Sequence, residues 1–97
     1  MSKRIKQLVT EFFGPAREIT GVAEVELDLE TTASARDLLR ALAASYPALK
    51  GPIIDPEGWS TAPYILMNLD GRETIQNYDL ELQPGARVLL MSALAGG

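Results

Sequence analysis

The sequence predicts an α+β fold in which a mixed sheet of four to five strands packs on one main helix. Three observations point there: an early stretch whose apolar residues recur every second position, one stretch where the period lengthens to 3.6, and a return to short apolar runs separated by turn dipeptides. Strands, one helix, then strands again is not the alternating order of a parallel α/β protein. A single helix covers one face of a small sheet, so the apolar faces of helix and strands meet in one two-layer core. That arrangement is a β-grasp. In it the first and last strands can pair in parallel at the centre, which accounts for the apolar density of both "LVTEFF" and "RVLLM".

The first run, "RIKQLVTEFF" (residues 4–13), is rich in β-branched and aromatic residues and is bounded by Gly14 and Pro15, as a strand would be. "VAEVELDLE" alternates cleanly: Ala23, Val25, Leu27 and Leu29 share one face, and Glu24, Glu26, Asp28 and Glu30 share the other. The link between them, "GPAREITG", has Gly at both ends and Pro inside and is read as a hairpin connection. In "SARDLLRALAASYP" the residues Ala35, Leu38, Leu39, Leu42, Ala43 and Tyr46 form a helical stripe. Ser34 with Asp37 three positions on resembles a capping box, and Pro47 closes the helix.

"PALKGPIIDPEGWSTAP" holds four prolines with glycines between them, so it is read as a long loop containing one short helical turn. "YILMNL" reads as a central strand, and Asp70-Gly71 as a hairpin turn into the short "RETI". "YDLEL", a Pro84-Gly85 turn and a final strand over residues 87–91 complete the chain, giving a domain over residues 1–91 and a flexible tail over 92–97.

Composition narrows the function. Ninety-seven residues make one domain, and with 46% apolar and 23% charged residues the chain reads as globular. No apolar run approaches the ~20 residues of a membrane span, and "MSKRIKQLV" leads to no cleavage site, so the cytoplasm is the expected location. The absence of Cys and His removes thiol nucleophiles, disulfides, the usual metal sites and the commonest general base, so neither an enzyme nor a metal centre is expected. A net charge of −4, with six Arg and three Lys scattered, disfavours nucleic acid as a partner.

"VLLMSALAGG" leaves the core and within a few residues presents a carboxylate on unhindered glycine. Together with "FFGPAREITG", "SARDLLRALAASYP" and "LMNLDGRE", in that order and spacing, this ending resembles the MoaD/ThiS family of ubiquitin-like sulfur carriers, most closely the small subunit of molybdopterin synthase. Ala86 stands where that subunit commonly has Asp, Ser92-Ala93 replaces a frequent Pro pair, and the loop over residues 47–63 is long.

The resemblance implies a carrier whose C-terminal Gly97, preceded by Gly96, is adenylated and then converted to a thiocarboxylate. It implies as partners a ubiquitin-activating-enzyme-like adenylyltransferase using ATP and Mg²⁺, a sulfur donor protein, and the molybdopterin synthase large subunit or another sulfur-accepting enzyme of thiamine, cysteine or thiolated-tRNA synthesis. No cofactor would be held by the chain itself. Glycine leaves the reacting carbonyl uncrowded and can adopt dihedrals closed to other residues. Leu94, Ala95 and Ala93, and Arg87 near the base of the tail, are the candidate partner contacts. Leu94 is the strongest of them, because an apolar side chain beyond the last strand has no core to enter.

Other features carry two readings each. The acidic row of the second strand is either a dock for a basic partner or a solvated face; Arg87 either steers an acidic group or rests on the surface. Trp59 and Tyr64, flanking the long loop, read either as a contact surface or as core; partial burial is expected for Tyr64, and Trp59 is open between the two. A different class also fits the pattern: a ubiquitin-like interaction module with an inert tail. Leu39 sits at the centre of the helical stripe, so Leu39→Ala is expected to cost about 2 to 5 kcal/mol in equilibrium denaturation, and a change below about 0.5 kcal/mol would mean the helix faces another way.

Overall fold

The computed structural model describes residues 4–93. Its first strand, β1 (Ile5–Phe12), is followed by a short helix α1 (Pro15–Thr20), then β2 (Glu24–Glu30) and the main helix α2 (Ala35–Ser45). A 3₁₀ turn (Pro47–Leu49), two brief strands β3 (Ile54–Asp55) and β4 (Ser60–Thr61), then β5 (Ile65–Leu69), β6 (Glu73–Thr74) and β7 (Arg87–Ser92) complete it. Five strands form one sheet in the order β2-β1-β7-β5-β6. β1 and β7 run parallel, with Thr10 opposite Val88 and Phe12 opposite Leu90, and the other pairs are antiparallel. This is the expected β-grasp.

Alternation decides which side chains meet the helix. Leu8 and Phe12 of β1, Met67 of β5 and Val88 and Leu90 of β7 are buried with Leu38, Leu39 and Leu42 of α2. The Phe12 and Tyr46 rings meet edge to face, 5.8 Å between centroids. The expected capping box is present: Ser34 Oγ accepts from the Asp37 backbone N–H at 3.2 Å, and the Asp37 carboxylate accepts from the Ser34 backbone N–H at 2.9 Å. That second bond, ahead of the other contributions, holds the Asp37 carboxyl below its ordinary value of 3.8. A lowered carboxyl pKa contributes stability that is fully present above that value and is lost as the pH falls through the folded pKa.

The link over residues 14–21 joins adjacent antiparallel β1 and β2, as a hairpin connection does, but it runs through a short helix rather than a loop. Gly14 has φ 54°, Pro15 occupies the first helical position where a missing N–H costs nothing, and Gly21 closes the helix at φ 75° with its N–H donating to Arg17 O at 2.8 Å. The long loop is more ordered than its prolines suggest, because β3 and β4 pair antiparallel. Arg36 Nη1 donates to Gly58 O, Arg36 Nε meets Asp79 at 2.9 Å, and the Arg40 guanidinium lies 5.6 Å from the centre of the Trp59 ring. Trp59 therefore packs partly buried at the edge of the core. Asp70 and Gly71 both have positive φ, as the expected tight hairpin turn requires.

Two polar residues point into the core from β1. The Lys6 side chain is buried, and its ammonium donates to Thr31 O at 2.9 Å, Ala33 O at 2.8 Å and Leu82 O. Its three protons thus close the start of α2 and the approach to β7 onto the start of β1. Thr10 is fully buried, and among the described residues its hydroxyl meets no partner. The two should respond oppositely to apolar replacement. Lys6→Met strands three carbonyls and is expected to cost about 3 kcal/mol or more, whereas Thr10→Val removes an unpaired hydroxyl and is expected to add about 1 kcal/mol. Urea denaturation of both variants checks this; a stabilised Lys6→Met would mean the ammonium cage is not holding the junction.

Candidate functional site

The site is built where β7 leaves the sheet. Because β1 and β7 are parallel neighbours, their C-terminal ends emerge side by side, and antiparallel β5 begins on the other flank of β7. Leu94, Ala95, Gly96 and Gly97 lie outside the described residues. Ala93 is described, and its N–H donates to Tyr64 O at 2.6 Å. β7 runs through Ser92 and this bond adds one more rung, so the folded body reaches two residues beyond the expected boundary at 91. The reason is the Pro63-Tyr64 turn, which supplies the extra carbonyl.

Two aromatic residues flank this exit. On the β1 side, Phe13 N–H donates to Leu90 O at 3.0 Å while its side chain is 40% exposed, since the turn at Gly14 carries the chain away into α1. On the β5 side, Tyr64 is 68% exposed, which corrects the expected partial burial. Tyr64 lies third in the Ala62–Ile65 Pro-turn, before the strand, and is not drawn inward with Ile65. Below the exit, the sheet face turned away from α2 carries Val9, Leu66, Leu89 and Met91, all half-buried, with Leu66 and Met91 directly opposite each other. Outward-facing apolar residues on an open sheet face, next to exposed aromatics, form a surface suited to covering by another protein.

Arg87 is not at the base of the tail. It opens β7, five residues before Ser92 or about 16 Å along the strand. Its guanidinium lies 3.4 Å from Glu11 and 3.5 Å from Glu24, and its backbone is fixed to Asp70 through bonds of 2.7 and 2.9 Å. It ties β7 to β1 and β2 across the open face. Glu24, Glu26, Asp28 and Glu30 project from β2, an edge strand, and make an acidic border beside the apolar strip. Gln7 Nε2 donates to Glu26 at 3.2 Å. Charges on an edge strand also discourage strand-to-strand association.

Of the candidate partner contacts Ala93, Leu94, Ala95 and Arg87, only Ala93 is described at the exit, and Arg87 is remote from it. Phe13, Tyr64, Leu66, Leu89 and Met91 carry the surface instead. Their signal in the sequence was the continuity of the apolar runs in "EFF", "YILMNL" and "RVLLM", which exceeds what one buried face requires.

Comparison with known proteins gives a consistent result. The sequence profile of the ThiS family matches residues 10–97. Small archaeal modifier protein 3 of Haloferax volcanii is 29% identical over 93 residues, covering 94% of this chain and 99% of that protein. The crystal structure of SAMP1 from Haloferax volcanii superposes with a TM-score of 0.80 at 23% identity, covering 94% of this chain and 99% of that one. A Pyrococcus furiosus protein assigned as subunit 1 of a molybdopterin converting factor gives 0.74 at 22% identity, covering 92% and 99%.

The platform has a direct test in Phe13→Asp. A charge beside the exit should lower affinity for a partner that covers it by about tenfold or more, while the half-exposed position limits the loss of stability to about 1 kcal/mol. Calorimetric titration against the activating partner reads this, and unchanged affinity would remove Phe13 from the contact.

Proposed function

The chain belongs to the ThiS family of small, non-catalytic ubiquitin-like sulfur carriers and modifiers, and from that premise we propose that Gly97 carries the reacting group. In this reading the Gly97 carboxylate attacks the α-phosphorus of ATP within a ubiquitin-activating-enzyme-like adenylyltransferase, releasing pyrophosphate and forming an acyl-adenylate. Mg²⁺ neutralises the phosphates there. A sulfur donor protein then delivers a sulfide equivalent to the acyl carbon, AMP leaves, and the terminus becomes a thiocarboxylate. Sulfur passes from it to the pterin precursor held by the large subunit of molybdopterin synthase, whose groups catalyse the transfer, and water supplies the oxygen that returns Gly97 to a carboxylate.

The observation that carries the reading is the family match running through Gly97 itself, on a chain whose last described strand lies at the middle of the sheet. The four residues over 94–97, beyond the rung at Ala93, have a contour length of about 14 Å. The body can therefore dock by its open face while the carboxylate reacts at a distance. Leu94 suits an apolar groove along that path, and Ala93, Ala95 and Gly96 suit a narrow channel.

A second reading is favoured by the modifier from Haloferax volcanii. The same acyl-adenylate would be opened by a lysine amine of a target protein, with AMP leaving and an amide forming. The two share every step up to the adenylate and part at the nucleophile. Intact-mass analysis separates them: incubation with ATP, the adenylyltransferase and sulfide, followed by large subunit and precursor, should replace one oxygen by sulfur and then restore oxygen. Lysine-linked conjugates in place of that cycle favour the modifier.

Length should matter more than stability. Deleting Gly97 withdraws the carboxylate by one residue's roughly 3.3 to 3.6 Å, and adding Ala after Gly97 advances it and turns the old terminus into an amide; a displacement of only ~1 Å can cost on the order of a hundredfold in rate. Gly96→Val keeps the length but restricts the dihedrals. All three are expected to melt like the parent and to form thiocarboxylate at least a hundredfold more slowly. Parental loading of either length variant contradicts the proposal.

A further inference from the structure

We infer that Tyr64 is a positioning residue for the reaction at Gly97, its ring lying on an apolar shelf at the mouth of the adenylating partner's channel. The inference rests on the proposed function and adds to it a specific contact.

The first observation is backbone geometry. Ala62, Pro63, Tyr64 and Ile65 form a turn closed by Ile65 N–H donating to Ala62 O at 3.1 Å, with Tyr64 at φ 68°. A turn with Pro in its second position and positive φ in its third favours glycine there, because a Cβ is strained in that region. A bulky aromatic is the wrong residue for the turn.

The second is that the fold gains little in return. Tyr64 is 68% exposed, the most exposed large apolar or aromatic side chain among the described residues. Among those residues its ring joins no aromatic pair or cation–π contact and its hydroxyl has no hydrogen-bond partner. Strain retained at an exposed position points to an interaction outside the chain.

The third is location. The Tyr64 carbonyl holds Ala93 N–H at 2.6 Å, and the four residues from there to Gly97 span at most about 14 Å. A protein that encloses the Gly97 carboxylate and excludes water from the acyl-adenylate must cover the ground between them, so it meets the Tyr64 ring. Proximity selects the adenylating enzyme, the first protein to take that carboxylate. Phe13 across the strand extends the same apolar contact.

The test uses Tyr64→Gly, because glycine suits the backbone and loss of loading could not then be ascribed to a weakened fold. With carrier concentration varied against the adenylyltransferase and ATP, KM for the carrier is expected to rise about tenfold or more with kcat within about twofold, as for loss of an aromatic anchor. Tyr64→Phe should restore the parental KM, and the melting point of Tyr64→Gly should not fall below that of the parent. Tyr64→Asn, which also tolerates positive φ, gives the same readout should the glycine variant fold poorly. Parental KM in the Gly and Asn variants, or a fall in kcat alone, overturns the inference. Failure of the parent to be loaded overturns the proposed function instead, so the two failures are distinct.

Discussion

The parallel pairing of β1 with β7 is the constraint from which the rest of the structure follows. Parallel neighbours cannot be joined by a tight turn, so everything between them must be arranged around the sheet. β2 and α2 take one side of that path, and β5 with β6 takes the other. The pairing buries Val88 and Leu90 beside Leu8 and Phe12 under α2, and it fixes the end of β7 in the middle of the sheet. A C-terminal segment leaving from there begins between two supported strands, with Phe13 and Tyr64 on its flanks.

The junctions are closed by backbone carbonyls and capping groups rather than by surface ion pairs. Lys6 gathers carbonyls from Thr31, Ala33 and Leu82, and Ser34 with Asp37 seals the start of α2 a few residues away. Both act at the end of the molecule opposite the exit of β7. Burying a charge is tolerable when each of its protons is matched, and the ammonium is matched here by the carbonyls of Thr31, Ala33 and Leu82. By contrast, Arg87 with Glu11 and Glu24 lies on the solvent side, where screening leaves such pairs worth little. Their role is to border the apolar strip of the open face.

Much of this was legible in the sequence because period and punctuation agree. The stripe from Ala35 to Ala43, the Ser34 cap and the Asp70-Gly71 turn each have a local physical cause, and each is realised. α1 escaped because six residues are too few to display a helical period, although its Pro at the start and Gly at the end were in view. β3 and β4 have two residues each and depend on one another across the loop. The platform was harder still. Whether Leu89 faces the helix or solvent depends on register with Glu11 and Asn68, a non-local fact. Arg87 illustrates the same limit, since its sequence distance from the glycines says nothing of the length of strand between them. Tyr64 departs from the expected partial burial because an aromatic side chain suggests the core, whereas the turn conformation that keeps it outside is set by Pro63 and by the rung to Ala93.

In the proposed function the terminal carboxylate is activated while the folded body only presents it. Exchange of labelled pyrophosphate into ATP, catalysed by the adenylyltransferase, measures this step alone, before sulfur or any acceptor enters. The expected result is exchange that saturates with the parental chain and vanishes when Gly97 carries a C-terminal amide, although the amidated chain still binds. Equal exchange with the amidated chain, or none with the parent while the enzyme activates a control carrier, would contradict the account.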